Sequence, residues 1–348
     1  MAGTDTAVVR LSDLTDGQEA ECFAALVKKV RGTTYKNESF LKCYFRDKFV
    51  TLEAPIWADS RFLKQAETWA EGSAYRIHVK GSLKPRYGLQ LEIINIRPAV
   101  DADAEDGYSF FDLVETSAQD PEELFRKLHV YVEKCIDDPH LKRLVGTILA
   151  DHADLFKKMP AAQSFHHAYT AGLLEHVWSM TRVASFLADH YARYYEQLNP
   201  PLDKGVIIAA TILHDIGKLR ELDYHPVEAK YTTVGQLIGH VLMGRDLVRD
   251  AARKIEGFPE ETLLLLEHAI LAHHGKKEFG APIMPQTLEA LLVSYVDDLD
   301  AKMNIAARNR ILSKTDGEFT DKVYALDNRR FYKGIPAESC CDEGLELP

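Results

Sequence analysis

The chain has 348 residues, a formal net charge of −11 at pH 7, and apolar and charged fractions of 46% and 27%. These fractions are typical of a soluble globular protein, and the length predicts two domains with a sizeable core. Because the balance is acidic, the chain is not a polycation, and any surface that binds nucleic acid must be local.

The cysteines are odd in number, scattered and without C-x-x-C spacing: Cys22, Cys43, Cys135, Cys340 and Cys341. This pattern argues against a disulfide framework or a zinc ribbon and predicts reduced thiols in the cytoplasm. The first residues lack a basic segment followed by an apolar one, so no signal peptide is expected, and no stretch predicts a transmembrane helix.

The first hundred residues have the pattern of a small β-domain. Strands are predicted over 8–11, 20–30, 39–49, 50–57, 73–81 and 89–97, with a short helix near 60–69. Five main strands with a helix after the third predict an OB-type Greek-key barrel for residues 1–100.

One face of this barrel is predicted to bind single strands. Residues 28–48 carry seven cations, among them Lys36, and two anions. Strand alternation places Phe40, Lys42, Tyr44 and Arg46 on the surface opposite Leu41, Cys43 and Phe45. Aromatic rings between cations suit stacked bases and phosphates, although the same rings would also suit packing against a neighbouring domain.

Residues 101–123 hold nine acidic side chains and no Lys or Arg. They are predicted to be a solvated linker, with Tyr108, Phe110 and Phe111 as docking points. From Pro121 the pattern is helical, which predicts an all-α bundle over 124–314 and a tail over 315–348.

The bundle contains an adjacent His214-Asp215 pair after the apolar run 206–213, which is long enough for a buried helix. Burying an unpaired charge is unfavourable by several kcal/mol, so these side chains need compensation. A divalent metal would supply it, and a salt-bridged aspartate beside a core histidine is the alternative.

Other candidate ligands also lie at or near the ends of apolar helical stretches. They are His176, His240, His273 and His274, and the aspartates of the segment 295–300, Asp297, Asp298 and Asp300. Five segments that converge in a bundle core predict a metal centre. Imidazole and carboxylate donors without thiolate suit Mn, Fe, Co, Ni or Zn.

The order His, His-Asp, His, His-His, Asp is similar to the HD-domain metal phosphohydrolases in their two-metal form. The segments 164–169, 172–176 and 273–282 resemble those of the YhaM-type 3′→5′ exoribonucleases, which join an OB fold to an HD domain. That family usually has Gly-Gly at Ala171-Gly172 and Gly-Ser-Pro at Gly280-Ala281-Pro282.

The resemblance implies two divalent metal ions, with Mn²⁺ the first choice and Co²⁺, Fe²⁺ or Ni²⁺ as alternatives. It implies the metal ligands His176, His214, Asp215, His240, His273, His274 and Asp297, with Asp215 as the bridge. Asp297 is matched by the Asp-x-x-Asp-Ala spacing through Asp300, and Asp298 is the alternative to it. Asp215 and Lys218 are the expected catalytic residues, since Lys218 could reach a phosphate as a point charge. His166 and His167 are expected either to contact substrate phosphate or to support a ligand.

The expected partner is single-stranded RNA, with single-stranded DNA as a second candidate and no membrane; a homo-oligomer is left open. Two other functions are alternatives: an HD phosphohydrolase of small nucleotides or cyclic dinucleotides, and a nucleic-acid-binding protein with a silent HD core. An enzyme that acts only on small nucleotides does not need an OB-type barrel. A silent HD core would be expected to have lost one of the metal ligands, and no ligand position is replaced in this sequence.

Overall fold

The computed structural model describes residues 8–33, 38–85, 87–162, 166–225, 227, 229–313, 315 and 317–334, without the side chain of Phe111. Several positions used above lie outside the described residues: Lys36, Ser164, Phe165, Lys314, Cys340 and Cys341.

A closed five-stranded barrel forms the N-terminal part. Its strands are β1 (Glu19–Thr33), β2 (Ser39–Arg46), β3 (Thr51–Ile56), β4 (Ala74–Lys84) and β5 (Gly88–Pro98), in the spatial order β1-β2-β3-β5-β4. Helix α1 (Leu63–Thr68) lies between β3 and β4. The OB-type barrel predicted from the sequence is confirmed.

Strand β1 closes the barrel because it pairs with two neighbours. Residues 19–25 pair with β4, residues 25–33 pair with β2, and the register shifts between Leu26 and Lys28. Leu41, Cys43 and Phe45 of β2 are buried in the barrel core. The predicted first strand over 8–11 is wrong: Val8 makes one bridge to Glu21, and the next turn, Leu11–Asp13, is a 3₁₀ helix.

The expected solvated linker over residues 101–123 is wrong for its first part, which packs on the barrel. Asp103 is 3% exposed and forms ion pairs with Arg76 and Arg97. The ring of Tyr108, one of the predicted docking points, lies 5.1 Å from that of Phe23. Many acidic residues in a row suggested solvation, but two cations on the barrel strands compensate the buried carboxylate.

The remaining chain is helical, as predicted. Its helices are α2 (Pro121–Cys135), α3 (Pro139–Asp151), α4 (Ala153–Phe156), α5 (Gly172–Tyr194), α6 (Lys204–Leu213), α7 (Lys218–Glu221), α8 (Thr233–Ile238), α9 (His240–Ala252), α10 (Glu260–Ala272) and α11 (Leu288–Ile311). Among the described residues, no helix combines the length and the apolar character needed to cross a bilayer.

Helix α6 is the centre of the bundle. Every residue of 206–213 is buried, and α6 packs against α5, α10 and α11. The Asp203 carboxylate caps its first turn by accepting from the amide of Val206 at 2.9 Å. Because α6 is apolar on all sides, its C-terminal end delivers His214 and Asp215 into the interior.

A short hairpin joins the bundle to the barrel. It consists of β6 (Leu222–Asp223) and β7 (Lys230–Tyr231), and we call the described residues of 222–231 the docking hairpin. Lys230 pairs with Glu71 at 3.1 Å, and the guanidinium of Arg46 donates to the carbonyl of Val227 at 3.1 Å. The two folds are therefore in direct contact through polar and apolar groups.

Part of the predicted C-terminal tail is folded. Val323 and Leu326 are buried against Ile305 of α11. The domain boundaries drawn from the sequence at 100, 123 and 314 stay predictions.

Candidate metal centre and nucleic-acid face

The structure brings together the seven predicted metal ligands, which lie on or next to five helical segments. His176 lies in the first turns of α5, His214 and Asp215 follow α6, His240 begins α9, His273 and His274 follow α10, and Asp297 lies in α11. The five segments are distant in sequence, and the packing of α5, α10 and α11 against α6, together with that of α9 against α10, makes their ligands neighbours.

Asp215 lies between two groups of imidazoles. Its Oδ2 is 3.2 Å from His214 Nε2, and its Oδ1 is 3.3 Å from His240 Nε2 and 3.7 Å from His273 Nε2. The carboxylate thus presents one oxygen to each group, which is the arrangement required of a bridging ligand.

Asp297 completes the group on the His214 side. Its Oδ1 lies 3.2 Å from His176 Nε2 and 3.9 Å from His214 Nε2. On the other side, the ring of His274 lies 4.1 Å from that of His273 and 5.2 Å from that of His240. Asp298, the alternative to Asp297, is directed away and pairs with Lys302 at 2.6 Å.

The second ring nitrogen of four histidines is held by the protein. Nδ1 of His176 contacts Asp300 at 2.7 Å, and Nδ1 of His240 contacts Glu221 at 2.9 Å. Nδ1 of His214 and of His273 contact the carbonyls of Thr211 and Ile270. These contacts fix the ring orientation so that each Nε2 faces the centre, as in metal-binding histidines generally.

Sequence reasoning missed Asp300 and Glu221 as supporting residues. Asp300 lies one turn after Asp297 on the same helix face, so helical spacing could have indicated it. Glu221 lies in the turn after the His214-Asp215 pair, but nothing in the spacing links it to His240, which is 19 residues away.

The inward-facing atoms lack hydrogen-bond partners within the described part of the chain. They are buried and comprise His176 Nε2, His214 Nε2, Asp215 Oδ1, His240 Nε2, His273 Nε2 and His274 Nδ1. Leaving so many buried polar atoms unpaired is unfavourable by about 1–3 kcal/mol each. Nitrogen and oxygen donors that converge at 3–4 Å fit divalent metal ions, which would satisfy all of them.

The protonation states of His273, His274 and Asp215 favour this interpretation. Burial lowers the pKa of His273 well below its usual range and also lowers that of His274, so both rings are neutral at pH 7 and can donate a lone pair. Burial opposes ionisation of Asp215, but Lys218 and His214 hold the pKa of its carboxyl well below the ordinary value. Burial alone would lower the pKa of His176, whereas Asp297 and Asp300 raise it to about 9. Without a metal this ring is therefore protonated at pH 7, and a bound ion would have to displace its proton.

Lys218 lies at the edge of the centre. Its ammonium donates to Asp215 Oδ2 at 2.6 Å, and the residue is 7% exposed. One turn of helix separates it from Asp215, and the contact places a fixed positive charge beside the central carboxylate.

His166 and His167 take different positions. The ring of His166 is half-buried, lies 5.5 Å from that of His176, and has a pKa lowered by burial to about 3. His167 is buried, with one ring nitrogen 3.1 Å from Asp300 and the other 2.9 Å from the Tyr169 hydroxyl. The contacts of His167 are those of a supporting residue, one of the two roles predicted for it, whereas His166 is directed towards the site.

Two glycines permit this packing. A Cβ at Gly172 would lie 1.9 Å from the carbonyl oxygen of His167, and one at Gly217 would lie 2.0 Å from that of His240. Ala171, where the family usually has glycine, adopts a left-handed conformation with φ of 65°. The structure therefore requires glycine at 172 and accepts alanine at 171 with some strain.

The barrel face differs from the predicted one in part. Phe40 is 8% exposed because its ring stacks on Trp57 at 4.7 Å. The hydroxyl of Tyr44 donates to Glu53 at 3.0 Å, and Arg46 contacts the docking hairpin. Lys42 stays half-exposed on the surface. The alternation of side chains along β2 correctly predicted which residues share this face. It did not predict that Trp57, Glu53 and the docking hairpin would contact them.

A closed OB-type barrel joined to a helical bundle with a His, His-Asp, Asp centre defines an HD-domain hydrolase. The HD domain family matches residues 173–302, and a second family, TraI_2, described as a candidate helicase, matches the shorter stretch 112–219. The HD match covers His176, His214, Asp215 and Asp297.

Three relatives extend over nearly the whole chain. The 3′-5′ exoribonuclease YhaM of Shouchella clausii (strain KSM-K16) is 33% identical over 91% of this chain and 94% of its own. Those of Bacillus licheniformis and Bacillus subtilis (strain 168) are each 32% identical, over 92% and 91% of this chain and 96% and 95% of their own. The chain belongs to the YhaM family of 3′-5′ exoribonucleases, and it is a hydrolase.

Solved structures also match parts of the chain. A domain of replication protein A from Methanococcus maripaludis is 13% identical and covers 26% of this chain and 93% of its own, with a TM-score of 0.22. At that score the likeness supports no argument about this chain.

Proposed function

We propose that this protein is a metal-dependent 3′→5′ exoribonuclease that hydrolyses single-stranded RNA to nucleoside 5′-monophosphates, with single-stranded DNA as a second substrate. The observation that supports it most directly is the placement of Asp215 between two groups of buried imidazoles whose inward nitrogens have no described partner. Family membership supports the polarity and the class of substrate.

Two divalent ions fit the donors. We assign His176, His214, Asp215 and Asp297 to one ion and Asp215, His240, His273 and His274 to the other. When bound, such a pair would lower the pKa of water, neutralise charge on the attacked phosphodiester and stabilise the leaving oxygen. Mn²⁺ is our first choice, with Co²⁺, Fe²⁺ or Ni²⁺ as alternatives, because the donors are imidazole and carboxylate without thiolate.

The side chains around the donors have separate tasks. Asp300 and Glu221 hold the rings of His176 and His240 so that the donors stay aligned. Lys218 supplies positive charge where negative charge develops on the phosphate. Neutral His166, half-buried at the edge, is positioned to contact the scissile or the adjacent phosphate.

The barrel holds the upstream strand by stacking and by phosphate pairing. The contact between Arg46 and the docking hairpin keeps the barrel in place against the bundle. The described cysteines, Cys22, Cys43 and Cys135, are free thiols, which supports a cytoplasmic location.

The test is degradation of a 5′-labelled single-stranded RNA in Mn²⁺, with free nucleotides assayed in parallel. We expect a ladder that shortens from the 3′ end, a block by a 3′-terminal phosphate, and no block by a 5′ modification. Rapid turnover of the nucleotides with intact RNA would instead establish a small-nucleotide phosphohydrolase.

Variants connect the activity to the centre. Asp215→Ala and His176→Ala are expected to lose activity and bound metal. His190→Ala, in the exposed part of the same helix as His176, is the matched control and should keep both. A fully active, fully metallated Asp215→Ala protein would contradict the two-ion proposal.

A further inference from the structure

A groove of about 480 Å³ crosses the outer face of the barrel, on the side where β3 and β5 lie next to each other. This volume is in the range of about 300–1,000 Å³ typical of small-molecule sites. The predicted stacking residues do not form its open wall, since Phe40 is largely covered and Tyr44 bonds to Glu53.

Two exposed aromatic side chains border the groove instead. Trp57 is 48% exposed, with one ring face stacked on Phe40, and Tyr87 is 68% exposed. The ammonium of Lys42 lies 6.0 Å from the Tyr87 ring centroid and 5.9 Å from that of Phe40. An exposed ring on each side and a cation between them suit a stacked base with an adjacent phosphate.

The floor of the groove is polar and acidic. The carboxylate of Glu53 in β3 accepts hydrogen bonds from the side-chain amide of Gln90 at 3.1 Å and from the Tyr44 hydroxyl at 3.0 Å. The ammonium of Lys42 lies 3.6 Å from the same carboxylate. A carboxylate offers about four lone-pair positions, so these contacts leave acceptor capacity for a ligand. Negative charge at the floor repels phosphate and favours a base edge that donates.

We propose that this groove is a base-recognition site that prefers bases with an exocyclic amino group over uracil. Adenine, cytosine and guanine carry such a donor, and uracil presents carbonyl oxygens on either side of a single N–H. Stacking on Trp57 and Tyr87 supplies affinity, and Glu53 supplies the selection. This proposal rests on the proposed function, which makes single-stranded RNA the ligand. It adds base recognition, because stacking alone would bind RNA independently of its sequence.

Cytosine and uracil give the sharpest comparison because their rings are of the same size and stack similarly. The binding of 5′-labelled hexacytidylate and hexauridylate to the full chain is measured by fluorescence anisotropy in EDTA, so that cleavage does not interfere. We expect hexacytidylate to bind about tenfold more tightly, as one charge-assisted hydrogen bond allows.

Three variants test the assignment. Glu53→Gln should bring the two affinities close together, because an amide can donate to the uracil carbonyl. Trp57→Ala should weaken both oligonucleotides about tenfold or more and keep their ratio. Glu133→Gln removes the same charge from an exposed position on α2 and should change neither.

Equal affinities in the wild type, no binding of either hexamer, or an unchanged ratio in a folded Glu53→Gln protein would overturn base selection by this groove. Degradation of the same hexamers in Mn²⁺ separates this result from the proposed function. If both hexamers shorten from the 3′ end while their affinities are equal, the exonuclease stands and the base readout fails.

Discussion

Asp300 Oδ2 contacts His176 Nδ1 at 2.7 Å, and the same oxygen lies 3.1 Å from His167 Nε2. The Asp300 carboxylate therefore fixes the ring orientation of two histidines: His176, a candidate metal ligand, and His167, which lies just before the helix of His176. The contact with Ser179 occupies the other oxygen. Asp300 is thus a supporting residue whose removal would disturb the centre without removing a donor.

We expect Asp300→Asn to weaken metal binding or activity by about 10- to 100-fold, as loss of such supporting contacts does in other metal sites. Metal titration by calorimetry, together with kcat on single-stranded RNA, measures both. Asp298→Asn removes the same charge two residues earlier, where the side chain is exposed and pairs with Lys302. Asp298→Asn should leave metal affinity and kcat within about twofold of wild type. An equal loss in the two variants would show that only the overall charge matters and would contradict the supporting role of Asp300.

Gly172→Ala is expected to destabilise the bundle by about 1–3 kcal/mol, because the added methyl group would overlap the His167 carbonyl. The shift of His167 should also reduce metal retention. Denaturant unfolding and metal content test the two effects. The neighbouring Ala171→Gly change should have a small effect, since glycine relieves a left-handed alanine while removing a buried methyl group. A stable, fully metallated Gly172→Ala protein would contradict this packing argument.

Asp103 gives a pH-dependent prediction for the barrel. Hydrogen bonding to Arg97 lowers the pKa of its carboxyl well below the ordinary value, so it contributes stability that is fully present above the unfolded pKa of about 3.9. That stability is lost as the pH falls through the depressed folded pKa. Asp103→Asn should therefore be less stable than wild type at pH 7, by roughly 1–3 kcal/mol.

The difference should narrow as the pH falls below about 4, where the unfolded wild-type carboxyl takes up its proton. Urea unfolding of both proteins at several pH values measures this difference in the free energy of unfolding, and Asp101→Asn at an exposed position is the control. A difference that widens as the pH falls would reverse the assigned sign.

The cations of the barrel face should differ in their effect on RNA binding. Lys42 and Lys84 border the groove, and Arg46 is engaged with the docking hairpin. In Lys42→Ala/Lys84→Ala, the slope of log K against log salt should become shallower by about 1.4, or 0.7 for each lost phosphate contact to a single strand. Arg46→Ala should leave the slope nearly unchanged and should lower the stability of the contact between barrel and bundle. The reverse result would restore Arg46 as a phosphate contact.

The barrel could be predicted because alternation and turn spacing are local. The core residues Leu41, Cys43 and Phe45 follow directly from them. What covers the opposite face could not be predicted, because the Phe40–Trp57 stack depends on the exact register of the β2–β3 hairpin and the Arg46 contact joins residues that lie far apart in sequence. The burial of Asp103 was missed because its partners, Arg76 and Arg97, lie on two strands that only the folded barrel brings together.

The candidate centre shows the same limit. The donors stand out because histidines at the ends of apolar helices are unusual and their order resembles a known family. The supporting residues carry no such pattern. Glu221 is one of many glutamates, and only the fold brings it to the ring of His240.

The position of Glu221 directly before the docking hairpin limits how the two folds can be exchanged. Within about ten residues, the chain orients a metal-ligand candidate and then contacts the barrel through Val227 and Lys230. A chimaera that replaced residues 19–98 by another strand-binding module would also need new partners for this hairpin. The barrel is therefore not an independent, interchangeable domain. In proteins with this architecture, the barrel surface that contacts the docking hairpin should change together with the hairpin.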